Sequence, residues 1–480
     1  METFTVDRTA AISTARLQRA TAMPPGTPHI AVAIVGAGAC GLTAALALRE
    51  AGVECVLLER DATPQGSTGL SSGFIPAAGS AVQLAAGVQD SALAFAADIQ
   101  AKARGTAAPL LVQAYTEASA PAMALLARHG LQFGLLDGFL YPGHHLRRMH
   151  SLPQRTGSAL VAALATAAEA AGALTLTEAL VTELWCDDHG RVLGLGFERP
   201  DGRTEHLACA VTILANNGFG GDAQLVRQWL PQMQHASFVG HRGNDGSAIA
   251  WAQQLGLALG DLGGYQGHGS WAVPQGTLIT WALMMEGGVQ VNALGRRFHD
   301  ETQGYSEAAV QVLAQPGGVA WNVFDSRLLA LGRSFPDFCA AEAAGAVRGP
   351  AELHTLAAWI GCDAQTLQQS LMTRASNGLT APSALHESNA ATALTAPYFA
   401  IRVTGALFHT QGGIDIDARC QALYPDGRPH PNLLAAGGAA RGVSGNAVWG
   451  YLSGNGLLSA VAGGFIAGQQ AAARVQAGCG

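Results

Sequence analysis

The segment Gly36-Ala37-Gly38-Ala39-Cys40-Gly41 constrains this chain more than any other. It has the spacing GxGxxG, follows a short apolar run at residues 31–35, and leads into an Ala/Leu-rich run at 41–51 that Gly52 closes. The first run has the texture of a buried parallel strand, and the second reads as a helix. Residues 55–58 are a second apolar strand that ends at Glu59. In such a strand–helix–strand unit the first glycine makes the turn and the second lets backbone N–H groups reach a pyrophosphate. The third packs the helix on the strand, and the helix N-terminus favours the anion. Glu59 stands 18 residues after Gly41, where a carboxylate accepts hydrogen bonds from the hydroxyls of an adenosine ribose. The unit binds a dinucleotide on this reading, and the loop by itself leaves FAD and NAD both open. Residues 31–48 carry no charge, but three glycines at tight spacing suit a nucleotide loop better than a membrane span.

The remaining composition points the same way. Charged residues make up 13% of the 480, against about 25% in an average soluble protein, and 61 residues are glycine. Such a chain buries much of itself or lies against a large apolar cofactor. Its glycines sit in short clusters, which suggests repeated close approach of backbone to ligand. The net charge is −7 with no Lys/Arg run, which argues against nucleic acid as a partner. The eight cysteines include no CxxC or CxxCH pair, and reduced thiols in a cytoplasm fit best. Residues 1–28 lack an apolar signal core and read as a disordered or surface-draped extension. A helical region is expected from 88 to 129, with Ser119–Pro121 as cap and first-turn proline. Helices at 158–171, 247–255 and 456–467 and strands at 174–185, 191–198, 206–214 and 433–436 complete the frame. Asp245 reads as a helix N-cap. The texture changes between 262 and 405. The expected fold is therefore α/β: a discontinuous Rossmann-like domain at 29–261 and 406–480, with an α+β capping domain inserted at 262–405.

Four further segments carry a resemblance. They are Gly66-Ser67-Thr68-Gly69-Leu70-Ser71-Ser72-Gly73; Leu214-Ala215-Asn216-Asn217-Gly218-Phe219; Phe408-His409-Thr410-Gln411-Gly412-Gly413; and Leu434-Ala435-Ala436-Gly437-Gly438 leading to Ser453-Gly454-Asn455-Gly456. In order and spacing the chain resembles, over about residues 30 to 470, the flavoprotein family of fumarate reductases, urocanate reductase and 3-ketosteroid dehydrogenases. The resemblance implies FAD, with its ring between the nucleotide domain and the cap. It implies cofactor contacts at Gly36, Gly38, Cys40, Gly41, Glu59, Ser67, Thr68, Ser72, Gly73, Asn217, Gly218, Gly437, Gly438, Gly454, Asn455 and Leu457. Family members with covalent flavin attach it through a histidine in the first Gly-rich loop. Residues 66–73 contain none, so the FAD is expected to be non-covalent. Gly438 stands where the family often has Glu.

The family pattern also distributes substrate residues. His268, Thr280 and His409 match two histidines and a threonine that surround the substrate in fumarate reductases. Both arginines of that pattern are missing. Tyr305 stands at the proton-donating position after Arg297-Phe298-His299-Asp300-Glu301, and no arginine follows Arg441 before the last glycines. In 3-ketosteroid Δ1-dehydrogenases a tyrosine at the Tyr305 position is the base. A second, matched by Tyr451, donates to the ketone oxygen beside a backbone N–H, here at or near Asn455. A third, matched by Tyr141 in Phe139-Leu140-Tyr141-Pro142-Gly143, assists the base. The chemistry agrees: a C–H beside a ketone becomes acidic only when donors stabilise its oxyanion, and a phenol with pKa near 10 matches such a carbon acid better than a carboxylate. Loss of two guanidinium groups removes the charge that would hold a dicarboxylate. Trp271, Trp281 and Trp449 read as core rather than pocket.

The expected function is thus an FAD-dependent dehydrogenase that introduces a C=C bond next to a cyclic ketone, a cyclic keto acid or a 3-ketosteroid. It would pass electrons to an acceptor the sequence does not name. The competing readings are a reductase of an unsaturated or polycarboxylic acid, and a flavin electron carrier without a substrate of its own.

Overall fold

The computed structural model describes residues 15–136, 140–372 and 393–478. Residues 1–14 of the expected extension, Phe139 and Cys479 lie outside the described residues.

The first of two large sheets has nine strands. In it Leu174–Leu176, at one edge, Cys55–Leu58, His29–Val35, Thr204–Leu214 and Pro429–Ala435 run parallel in that order. Val32 to Val35 and Val211 to Leu214 are buried on both faces, as continuous apolar runs demand in a parallel sheet covered by helices. The register decides what comes next. Val35 pairs with both Leu58 and Leu214, and Leu214 pairs with Ala435. Four strands therefore stop at one edge. The residues that follow them are the Gly36 loop, Glu59, Ala215-Asn216-Asn217 and Ala436-Gly437. The carboxyl edge of an open parallel sheet is where ligands bind. The helix Ala39–Glu50 covers one face and packs on the last helix, Asn455–Gln476, which extends well past its expected end at 467.

Two expectations fail here for identifiable reasons. Residues 16–19 are not draped on the surface. Arg16–Arg19 pairs in parallel with Leu180–Cys186 at the sheet edge. Leu17 N–H donates to Gln254 at 2.8 Å, and Trp251 Nε1 donates to the Arg16 carbonyl at 3.2 Å. The four residues carry no strand signal of their own; partners distant in sequence order them. Nor does a helix start at Pro121. The 88–129 region is two helices, Ala92–Lys102 and Pro109–Arg128, and Pro109 holds the first-turn position while Pro121 lies inside. A mid-helix proline removes one backbone bond. Here the helix is held by its buried face of Leu111, Tyr115, Ala122, Leu125 and Leu126. Ser119 donates to the Thr116 carbonyl at 2.7 Å instead of capping.

The second sheet has seven strands around Tyr398–Thr410, which is antiparallel to both Tyr265–Ala272 and Val319–Asp325. This strand crosses the expected boundary between 405 and 406 without a break and delivers His409 to the seam between the sheets. The helix Tyr305–Leu313 packs across the same two strands, Tyr265–Ala272 and Tyr398–Thr410. Among the described residues no helix is long and apolar enough to cross a membrane.

Candidate active site

A cleft runs from the carboxyl edge of the first sheet to the seam with the second. It holds about 1950 Å³ of empty space, open solvent at its mouth included. At the nucleotide end it is lined by Gly36, Gly38, Cys40, Glu59, Ser67, Thr68, Ser72, Gly73, Asn217, Gly437, Gly438, Gly454 and Leu457. Gly36 has φ +102°, and a Cβ there would lie 2.7 Å from the Ala215 carbonyl oxygen, so only glycine turns the chain here. The helix that follows has no side-chain cap on Gly38 and no acid in its first turn. Its N–H groups are thus free to meet an anion, except that of Ala39, which donates to Thr68 Oγ1 at 3.0 Å. Glu59 is buried and accepts from Ala37 N–H at 2.9 Å and Asp61 N–H at 3.0 Å. Ser67 Oγ accepts from Asn217 and Asn244 side-chain amides at 2.7 and 3.1 Å, which ties the second Gly-rich loop to the strand ends. Asn216 Oδ1 and Ser459 Oγ belong to cleft-lining residues, are buried, and have no hydrogen-bond partner in the protein. Such atoms cost about 1–3 kcal/mol each when left unmet. A ligand with several polar groups answers them.

Three expected site residues, Gly41, Gly218 and Asn455, are not among the residues that line the cleft. Gly41 packs helix on loop: a Cβ would lie 2.0 Å from the Gly36 carbonyl oxygen. Gly218 sits against Thr410, whose Oγ1 would be 1.9 Å from such a Cβ. Asn455 opens the last helix, so its N–H turns back to the Leu452 carbonyl (3.0 Å) and its side chain donates to Ser444 Oγ (2.9 Å). The N–H that reaches the site is that of Gly456. Asp245 is one residue early as an N-cap; the cap position is Gly246. Asp245 accepts from Ser247 N–H at 3.0 Å and pairs with Arg60 at 3.1 Å.

At the other end the cleft is lined by Tyr141, His268, Thr280, Trp281, Tyr305, His409 and Tyr451. The half-buried Arg297 pairs with the buried Glu301. Glu301 also accepts from Gln290 N–H at 2.8 Å, and its carbonyl accepts from Trp281 Nε1 at 3.1 Å. That clamp, followed by Gly304 with φ +135°, places Tyr305 at the first position of its helix, facing the cleft. The His268 ring stacks on Tyr305 at 4.9 Å and 18° and meets Trp281 edge-on. Tyr451 stands 6.1 Å from Tyr305 and 5.7 Å from His409 between ring centroids. Gly456 N–H points at the Tyr451 hydroxyl from 3.4 Å. Thr280 lines the cleft, and its Oγ1 accepts from the N–H of Ala282, the first residue of a short helix, at 3.3 Å. Trp281 is a cleft wall as well as core, whereas Trp449 lies partly exposed under Arg104.

Burial dominates the electrostatics. It pushes His268 down to about 3 and His409 down to about 4, so both rings are neutral at ordinary pH. His268 Nδ1 accepts from Ser270 N–H at 3.1 Å. Burial raises the Tyr305 phenol, and the neighbouring Tyr451 raises it further against a hydrogen bond with Ser453. Tyr451 is raised by burial, opposed by the Gly456 N–H, the Tyr305 hydroxyl and the Gly454 backbone. Among the described residues that line the cleft the one arginine is Arg60, and there is no lysine. Sequence reasoning missed Ser453, Ser459, Phe335 and Asp337 as cleft residues. Ser453 and Ser459 flank the quoted glycines and could have been included, but nothing local marks Asp337.

Residues 31–457 match the FAD binding domain family. The chain belongs to that family. It is an FAD-dependent oxidoreductase, and the cradle and orphaned polar atoms described above fit that cofactor. Among curated proteins this flavoprotein is 27% identical over 472 residues to a probable fumarate reductase of Shewanella frigidimarina, covering 95% of the chain and 77% of that protein. It is 27% identical to the 4-oxocyclohexanecarboxylate 2-dehydrogenase of Sinomonas cyclohexanicum, over 86% of the chain and 88% of that protein. In fold it is similar to the 3-ketosteroid-Δ4-(5α)-dehydrogenase of Rhodococcus jostii RHA1, with TM-score 0.75, 23% identity and 95% and 99% of the two chains covered.

Proposed function

We propose that this flavoprotein dehydrogenates a cyclic ketone at its α,β bond. The observation that carries the reading is the facing pair of buried phenols, Tyr305 and Tyr451, in a cleft whose one arginine is paired with Asp245 beside Glu59. The Tyr451 hydroxyl and the Gly456 N–H donate to the ketone oxygen, each worth about 10²–10³ in rate. With that oxygen held, Tyr305 takes the α-proton, and His268, stacked behind it, fixes the ring. Tyr141, on the same wall, assists the base. The α C–H electrons form the new C=C bond as the β-hydrogen departs with its own pair. Bound FAD supplies the oxidant that accepts that hydride. His409 supports Tyr451 from the opposite side, and Thr280 lines the substrate wall.

The cofactor would be held at Gly36, Gly38, Cys40, Glu59, Ser67, Thr68, Ser72, Gly73, Asn217, Gly437, Gly438, Gly454 and Leu457, without a covalent bond. The nucleotide domain is formed by 29–261 and 406–480, with the cap between them. The Sinomonas relative, named as a dehydrogenase of a cyclic keto acid, supports the ketone reading. The second reading, reduction of an unsaturated acid, is favoured by the presence of His268, Thr280 and His409 together in the cleft and by the Shewanella relative.

One experiment separates them. Tyr305→Phe keeps the ring and FAD content and loses the hydroxyl. Anaerobic flavin bleaching by a cyclic ketone falls about 10²–10⁴-fold, the ordinary worth of a placed proton acceptor. A Tyr305→Phe protein that bleaches at the wild-type rate, or a wild type that reduces fumarate briskly with a reduced dye, replaces the ketone reading with the acid reading.

A further inference from the structure

One acidic side chain in the cleft is used by neither reading. Asp337 is the second residue of the helix Pro336–Ala343, in the cap. It does not cap its own helix. Its side chain lines the cleft, where Oδ2 accepts from Ser72 Oγ of the nucleotide domain at 3.1 Å. Among the described residues no lysine, arginine or histidine forms an ion pair with it. A carboxylate has about four acceptor positions over its two oxygens, and one hydroxyl fills one of them. Asp337 is half-buried, and burial raises its pKa against the Ser72 hydrogen bond. Its charge also raises Tyr141, which in turn acts on Tyr305. Asp337, Tyr141, Tyr305 and Tyr451 all line this one cleft. A substrate seated with its ketone at Tyr451 extends past Tyr141 toward Asp337. There it covers a poorly satisfied acceptor, and covering it without a donor is costly.

Resting on the ketone reading, we propose that Asp337 selects the far end of the substrate: a cyclic ketone that carries a hydroxyl or ammonium donor remote from the carbonyl, in preference to one that carries a carboxylate there. A donor completes the half-met Asp337 carboxyl, whereas a second carboxylate at the same place meets like charge, and Arg155, the cation that acts on Tyr141, does not line the cleft. This separates the chain from its Sinomonas relative, whose named substrate is an acid.

The test measures dissociation constants on the FAD-loaded protein from ligand-induced changes in the flavin spectrum. The probes are 4-(hydroxymethyl)cyclohexanone, its hydroxyethyl homologue and 4-oxocyclohexanecarboxylate. In the wild type the better of the two hydroxyl ketones binds at least about tenfold more tightly than the acid, the scale of one hydrogen bond to a charged group. Asp337→Asn shrinks that ratio by about tenfold or more, chiefly by tightening the acid. Asp337→Ser, which also removes the charge, shifts it the same way if the amide disturbs the cap. If all three ketones bind and neither variant moves the ratio, the assignment of Asp337 is wrong and the ketone reading stands. If none perturbs the wild-type spectrum, the ketone reading fails and takes this inference with it.

Discussion

Removing the Tyr451 hydroxyl isolates what the ketone oxygen meets. Tyr451→Phe leaves the ring against Tyr305 and His409 and leaves the Gly456 N–H in place. Ketone-driven bleaching should therefore fall about 10²-fold while FAD stays bound. A near-normal rate would move the ketone oxygen elsewhere, with His409 the next donor. The pH profile belongs to the same pair. Burial holds the Tyr305 phenol above its ordinary value, so it starts protonated, and the rate rises with pH as that proton is lost. His268 and His409, held down near 3 and 4, are already neutral and add no inflection between about pH 5 and 8. A rate that falls with rising pH in that window would contradict the phenol as base. At this scale much was legible in the sequence. Tyr305, Tyr451, His268 and His409 meet in one cleft because each stands at a fixed offset from a local signal: the Arg297–Glu301 clamp, the last glycines, and the two strands that pair with each other. Asp337 was not legible because its role depends on Ser72, 265 positions away.

Gly41 sets how closely the first helix approaches its own loop. A methyl group there would lie 2.0 Å from the Gly36 carbonyl oxygen, which cannot move without disturbing the turn. Gly41→Ala should cost about 1–3 kcal/mol and lower FAD content. Thermal melts and the ratio of flavin to protein absorbance measure both, and an unchanged pair of values would mean that the helix slides freely. Elements with strong internal patterns were readable: Cys55–Leu58 and Ser247–Leu255 have the bounds that periodicity gives. Those set by distant partners were not. The edge strand Arg16–Arg19 exists through Leu180–Cys186, and the helix around Pro121 persists through its buried face.

For the molecule as a whole, the absence of histidine from residues 66–73 predicts that acid precipitation releases all of the FAD into the supernatant. Yellow colour left on the pellet would reveal a covalent link elsewhere. The α/β class with its parallel sheet was foreseen, but not the strand Tyr398–Thr410, whose length joins what the sequence divides at 405. That strand gives the seam a further meaning. His268, Tyr305 and His409 are carried by the second sheet and its helix, whereas Tyr451 lies just before the last helix and Gly456 in its first turn, and that helix packs on the first helix. On the proposed ketone reading, the proton acceptor and the donors for the ketone oxygen thus come from opposite banks of the cleft. Any hinge that widens the cleft to admit substrate also parts them. If the ketone reading holds, enolisation is confined to the shut state, and a ketone that only visits the open cleft leaves with its α-hydrogens unexchanged.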